Sequence, residues 1–230
     1  MVPVSATRLA HLAGQGAVRA MCRFLPVTFR VPETSRRLYL TFDDGPDPVH
    51  TPAILDVLRR YKASATFFAL GDCVDQHPEL AHRIRSEGHS LGSHTYHHRD
   101  LSLSPEAALN QEVLSGIEAI RRASGYTASL LRPPYGRWNL RVLRMAQRRR
   151  LQLVLWSFDS QDCRLGSAEE LSSRLGDARW RPGEVILFHD CFAHTVEALP
   201  GLLSRLKQQG WDTAPMPVDP RAQGTFVSVS

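Results

Sequence analysis

The chain has 230 residues, 43% of them hydrophobic, which is enough to bury a full core in one α/β domain. The balance is mildly basic, 28 Lys plus Arg against 23 Asp plus Glu, but no basic stripe interleaved with aromatics appears, which argues against a nucleic-acid partner. The four cysteines, Cys22, Cys73, Cys163 and Cys191, are far apart and form no CxxC pair, which excludes a zinc ribbon or a dense disulfide framework.

The first stretch, MVPVSATRLAHLAGQGAVRAMCRF, lacks an uninterrupted apolar core and an A-x-A-like cleavage site, and no later run is long enough to span a bilayer. The expectation is a cytoplasmic monomer without a transmembrane segment. Within residues 8–25, Arg8, His11, Gln15, Arg19 and Arg23 recur at three or four residues and leave an apolar face of Leu9, Leu12, Val18 and Met21. The helix this implies either closes one end of the domain or touches a membrane surface, and Gly14 and Gly16 weaken it. Residues 1–35 are read as a helical extension.

From residue 37 onward, apolar runs that read as buried strands alternate with helical patterns. RLYLTF (37–42) precedes TPAILDVLRRYK (51–62), ASATFFAL (63–70) precedes HPELAHRIRSEG (77–88), and HSLGSH (89–94) precedes SPEAALNQEVLSGIEAIRRASG (104–125). Then ASLLRPPY (128–135) leads to NLRVLRMAQRRR (139–150), LQLVLWSF (151–158) to SAEELSSRLGDAR (167–179), and GEVILFHD (183–190) closes the series. Pro52, Pro78 and the run Ser104-Pro105-Glu106 mark helix starts, and Gly88 and Gly125 mark stops. The Arg148–Arg150 run is a solvated helix C-terminus. Residues 216–230 read as a loosely ordered tail.

Repeated strand–helix–strand units imply parallel strands with right-handed crossovers. Asp43, Asp44, His94, Arg132, Asp159, Asp162, His189 and Asp190 all fall at or just beyond the carboxyl ends of strands. In a barrel those ends converge on one mouth. The expected fold is therefore α/β, a distorted (β/α) barrel of about seven parallel strands with its site at their carboxyl ends.

LTFDDGPDP (40–48) sets two aspartates side by side where a strand ends. Adjacent carboxylates repel, so the pair implies a cation. On an extended strand they would point to opposite sides. His94 and His98 in SHTYHH are four apart, which suits one metal ion if the segment is a helical turn, although His97 offers a competing spacing of three. A carboxylate from elsewhere would complete three ligands and leave open positions.

TFDDG, HTYHH, RPPYG, WSFDSQDC and VILFHD, in that order, resemble the motif series of the polysaccharide deacetylases, the carbohydrate esterases with the nodulation-protein homology domain. The resemblance covers about residues 36–215 and looks most like the nodulation-type chitooligosaccharide deacetylases. It implies Asp44, His94 and His98 as metal ligands for one divalent ion, zinc foremost, with cobalt, nickel or manganese able to replace it. It implies Asp43 as catalytic base, Arg132 as its partner and the backbone N–H of Tyr135 as oxyanion donor. His189 would be the general acid, Asp162 the carboxylate that raises its pKa (Asp159 being the alternative), and Leu187 part of a recess for the acetyl methyl. The implied substrate is an N-acetylated amino sugar in a glycan.

One position departs from the family. Its fourth motif commonly ends in tryptophan, where this chain has Cys163. A thiol cannot offer a flat wall to a sugar ring, so Trp138 or Trp156 would have to supply one, and Cys163 could alternatively act as a fourth metal ligand. The alternatives are therefore an O-acetyl ester or non-sugar amide at the same metal site, and a non-catalytic glycan-binding module.

Overall fold

A strand that is apolar on both faces must be covered on both, and the computed structural model, which describes residues 27–219, does this by curling one sheet around an inner core. The elements in order are β1 (Val27–Thr28), β2 (Arg37–Asp43), α1 (His50–Tyr61), β3 (Ala65–Ala69), α2 (Gly71–Gln76), α3 (Pro78–Ser86), β4 (Ser90–Ser93), α4 (Glu106–Ser124) and β5 (Leu130–Leu131). There follow α5 (Leu140–Arg148), β6 (Gln152–Val154), β7 (Phe158–Asp159), α6 (Ala168–Gly176), β8 (Val185–His189), α7 (Ala193–Gln208) and β9 (Asp212–Thr213). The sheet runs β1-β6-β5-β4-β3-β2-β8-β7, with β9 on the start of β2 and every strand pairing parallel.

The run 151–158, expected as one strand, is two. β6 lies toward one end of the sheet and β7 forms the other end. Only residues 155–157 link them, and from Val154 to Phe158 an extended chain reaches at most about 14 Å. The ends must therefore approach, which gives the barrel its curl.

Alternation along the strands builds two layers. Outward residues Leu40, Phe42, Phe67, Ile186 and Phe188 pack with Ile54, Leu55 and Leu58 of α1, Ile84 of α3, Leu171 of α6 and Leu199, Leu202, Leu203 and Leu206 of α7. A second outer cluster joins α4 and α5 to β5 and β6 through Val113, Ile117, Val142, Met145, Leu131 and Leu153. Inward residues Val31, Tyr39, Phe68, Leu130, Val154, Val185 and Met216 plug the interior.

Three differences from the sequence reading follow from tertiary burial. No helix was expected over residues 193–208, where Pro200 and Gly201 interrupt the local pattern, yet burial of the four leucines of α7 overrides them. Residues 27–31, placed in the extension, are part of the barrel, because β1 pairs with β6 and Val31 is buried. At the other end Met216, placed in the tail, is buried and its N–H bonds Thr66 Oγ1 at 2.8 Å. The amphipathic segment of residues 8–25 and the last residues of the tail lie outside the described residues.

Glycine sets how closely α4 approaches the loop after β4. A Cβ on Gly116 would lie 2.6 Å from the Thr95 carbonyl oxygen and 2.9 Å from Ser93 Oγ. Gly116→Ala is expected to destabilise the protein by about 1 to 3 kcal/mol through overpacking, read as a lower urea midpoint. Gly201, in α7, has nothing within 4 Å of such a Cβ, so Gly201→Ala should raise the midpoint slightly through helix propensity, by about 0.5 to 1 kcal/mol.

Candidate active site

The mouth of the barrel is built from loops that begin where the strands end. Five of the non-glycine residues with left-handed backbones sit in them: Asp44 (φ 77°) after β2, Thr95 (76°) and His98 (59°) after β4, Tyr135 (61°) after β5 and Gln161 (63°) after β7. Such conformations each cost about 1 to 3 kcal/mol and persist where the surroundings enforce them. They bring side chains together that regular geometry would separate.

Asp44 shows the effect. Its left-handed turn ends the alternation of β2, so it does not oppose Asp43 as an extended strand would require. Both carboxylates reach one imidazole, with His94 Nε2 at 3.4 Å from Asp44 Oδ1 and 3.8 Å from Asp43 Oδ2. His98 Nε2 lies 3.3 Å from the same Asp44 oxygen. The helical turn expected for residues 94–98 is absent; the segment is irregular, and the left-handed Thr95 and His98 bring the two rings to 4.9 Å between centroids. His97, the competing ligand, turns away onto Glu112 of α4, 2.8 Å from Nδ1 to Oε1.

These residues fit a divalent cation. Asp44 Oδ1 is buried with no hydrogen-bond partner, facing two ring nitrogens. His94 Nδ1 faces the Arg132 carbonyl at 2.7 Å, an acceptor only, so it carries the ring proton and Nε2 presents a lone pair. Burial is the main cause that pushes the His94 pKa down to about 3, which keeps the ring neutral as a ligand must be. One carboxylate oxygen and two imidazole nitrogens within 4.8 Å of one another match the ligand chemistry of zinc and its neighbours.

Beneath this group lies Arg132, with no solvent exposure. Its Nη1 donates to Asp43 Oδ1 at 2.7 Å and to Thr41 Oγ1 at 2.8 Å, Nε to the Val154 carbonyl and Nη2 to the Leu155 carbonyl, each at 3.2 Å. Its guanidinium carbon lies 4.1 Å from the centre of the Phe68 ring. Burial raises the Asp43 carboxyl above the usual range, with the charge and hydrogen bond of Arg132 opposing it. The result is a stronger base than an exposed aspartate, held in one orientation.

On the adjacent strand β8, where His189 pairs with Asp43, His189 Nδ1 bonds Asp162 Oδ1 at 2.7 Å, while Asp162 Oδ2 accepts the His189 N–H at 2.7 Å and Thr195 Oγ1 at 2.9 Å. Burial works against charge on His189, but the bond and charge of Asp162 and the charges of Asp43 and Asp44 outweigh it and push its pKa to about 9. The carboxylate of Asp159, the alternative partner, instead accepts the Gln161 N–H, and its backbone carbonyl accepts Arg174. Cys163 stands with Asp162 and His189, the three offering ligand atoms within 4.8 Å of one another, rather than joining the group around Asp44.

Of the remaining expected residues, Leu187 is buried one inward position below His189 on β8, beside Thr41. Tyr135 is exposed with its ring 4.6 Å from that of His98. The turn around it is closed by Gly136 N–H to Pro133 O and Arg137 N–H to Pro134 O, neither of which uses the Tyr135 N–H. Trp138 is half-buried against the outer cluster of α4 and α5, and Trp156 packs against Gly136 and the inner plug. Sequence reasoning missed Thr41 and Thr195, which hold Arg132 and Asp162. The period of two that pairs Thr41 with Asp43 was a usable signal; Thr195, from α7, had none.

The polysaccharide deacetylase family model matches residues 30–154. A chitooligosaccharide deacetylase of Bradyrhizobium sp. (strain ANU 289) is 39% identical over 80% of this chain and 90% of its own length. The peptidoglycan-N-acetylglucosamine deacetylase PgdA of Listeria monocytogenes is 36% identical over 83% of this chain, which spans only 41% of that relative. The crystal structure of another peptidoglycan N-acetylglucosamine deacetylase superimposes with a TM-score of 0.81 at 33% identity, covering 86% of this chain and 94% of the other.

Two outcomes are expected from these pairs. Arg132→Leu leaves Asp43 buried without a partner and should cost about 3 to 5 kcal/mol in chemical denaturation. In the metal-free protein, the His189 ring should titrate near 9 by NMR, and Asp162→Asn should bring it down toward about 6.5. Because the folded value is raised, this contribution to stability is complete below about pH 6.5 and is lost as pH climbs through the folded value. A His189 titration unmoved by Asp162→Asn would refute the pairing.

Proposed function

Because the chain belongs to the polysaccharide deacetylase family, we propose that it hydrolyses N-acetyl groups on N-acetylglucosamine-containing glycans, releasing acetate, and that it needs one divalent ion. The main support is the meeting at one mouth of a buried, oriented base and a protonated acid, Asp43 and His189, paired on adjacent strands beside Asp44, His94 and His98. A carboxylate made more basic by burial and an imidazole held protonated by Asp162 supply a general base and a general acid at one site.

Asp44, His94 and His98 would hold the ion, which would supply Lewis-acid polarisation of the acetyl carbonyl. Asp43 accepts the proton of the attacking water, and Arg132 keeps the carboxylate aimed as that proton arrives. The tetrahedral oxyanion needs a donor, for which the Tyr135 N–H, held by a Pro-Pro turn that has no N–H of its own, is suited. His189 gives its proton to the amide nitrogen as the C–N bond breaks, with Asp162 stabilising the cationic ring beforehand. Acetate and a free amine leave. Leu187, buried on the inward face below His189, would supply an apolar wall for the acetyl methyl.

Cys163 is exposed beside the acid pair, where the family commonly carries a tryptophan, and this favours a second reading in which the same groups act on an O-acetyl ester. The test is acetate release from N-acetylated chitooligosaccharides, peptidoglycan fragments and an O-acetylated glycan, using protein stripped of metal and reloaded with zinc. The N-acetyl substrates should release acetate only with zinc, and Asp43→Asn should lower kcat by about 10² to 10⁴ while zinc affinity is kept. Release from the O-acetyl substrate alone would favour the second reading. Zinc binding without release from any substrate would favour a glycan-binding module.

A further inference from the structure

The turn that carries both the base and a metal ligand, residues 43–45, is held from below by groups that the proposed chemistry does not use. Asp190, one residue beyond β8, is 1% exposed. Its N–H donates to the Asp43 carbonyl at 3.2 Å, and its Oδ2 accepts Thr51 Oγ1 of α1 at 2.5 Å. Thr51 in turn accepts the Asp47 N–H at 2.8 Å, which ties the following loop to the same carboxyl. The Asp190 Oδ1 is buried with no partner.

Gly45 packs directly on this carboxyl, and a Cβ there would overlap Asp190 Oδ1, Oδ2 and Cγ. The Gly45 backbone is not left-handed, so glycine is needed here for space and not for conformation. The other two carbonyls of the turn are anchored from α2 and the end of β3: Cys73 Sγ lies 3.8 Å from the Asp44 oxygen, and the Leu70 N–H bonds the Gly45 oxygen at 2.8 Å. Asp190 is thus the side chain on which Gly45 rests, and it sets the height of the turn.

We propose that Asp190 is a positioning residue, whose carboxyl fills the volume under Gly45 and thereby aims Asp44 at the metal position and Asp43 at the reacting water. Its role is one of shape and hydrogen bonding rather than charge. A third anion beside Asp43 and Asp44 would be unfavourable, and burial accordingly pushes the Asp190 pKa up to about 7. The neutral amide of the same shape should therefore replace it.

This inference rests on the metal-dependent reading of the site, and zinc affinity tests it without any glycan. Zinc affinity is measured by competition with a chelating dye, beside kcat and KM for acetate release, on folded variants. Asp190→Asn should keep zinc affinity within about threefold and most of kcat, whereas Asp190→Ala should weaken zinc binding and lower kcat by about tenfold or more with KM little changed. Gly45→Ala should be damaging in the wild-type background and much less so combined with Asp190→Ala, because the added methyl group then enters the vacated volume. If Asp190→Ala does not fold, Asp190→Ser, which keeps an acceptor for Thr51, takes its place in both arms.

Wild-type zinc affinity in the small variant, equal losses in Asn and Ala, or independent effects of the Gly45 and Asp190 changes would each overturn the proposal. A wild-type protein that binds zinc but releases no acetate would overturn the proposed function and leave this inference standing.

Discussion

The site depends on a buried ion pair. Arg132 and Asp43 meet at 2.7 Å with side chains that are 0% and 4% exposed, where desolvation of two charges costs several kcal/mol per ion and is offset only by near-complete hydrogen bonding. Arg132 meets that demand from four sources: a carboxylate and a hydroxyl on β2, and two carbonyls where the chain leaves β6 for β7. Its own carbonyl accepts the proton of His94. One residue therefore orients the Asp43 carboxylate, sets the tautomer of the His94 imidazole and marks the place where the sheet curls.

The left-handed residues of the mouth follow from the same arrangement. A parallel barrel delivers its strand ends to a common face, but strand geometry alone would alternate side chains in and out. Asp44, Thr95, His98 and Tyr135 break that alternation after β2, β4 and β5, and Asp44 meets both His94 and His98. The local strain is held by contacts from elsewhere: Gly116 of α4 against the Thr95 carbonyl, the Cys73 thiol against that of Asp44, and Asp190 under Gly45. The helices outside the barrel thus take part in shaping a site they do not line.

Charge is divided across the mouth with similar economy. Asp43 is buried against a permanent cation, while Asp162 is buried against a histidine and two further donors, so one carboxylate gains basicity and the other stores a proton on its partner. Asp44, between them, keeps an oxygen free of hydrogen bonds. Three aspartates of the same chemical type so acquire three separate roles from their neighbours alone.

Much of this was legible before any coordinates. The continuous apolar runs, the turn residues after them and their alternation with helical patterns were sufficient for parallel strands and a common mouth, because these are local properties of the chain, while the roles expected of the residues there came from the resemblance of five short motifs to the polysaccharide deacetylases. Other features were not local. That residues 151–158 would serve both flanks of the sheet, that residues 193–208 would form a helix through Pro200, that His97 would turn away while His98 turned in, and that Thr195 would support Asp162 all depend on partners distant in sequence. The sequence by itself determined which groups stand at the strand ends; only the tertiary structure decided which way they face, since a left-handed residue is stable there only when packing from other segments holds it.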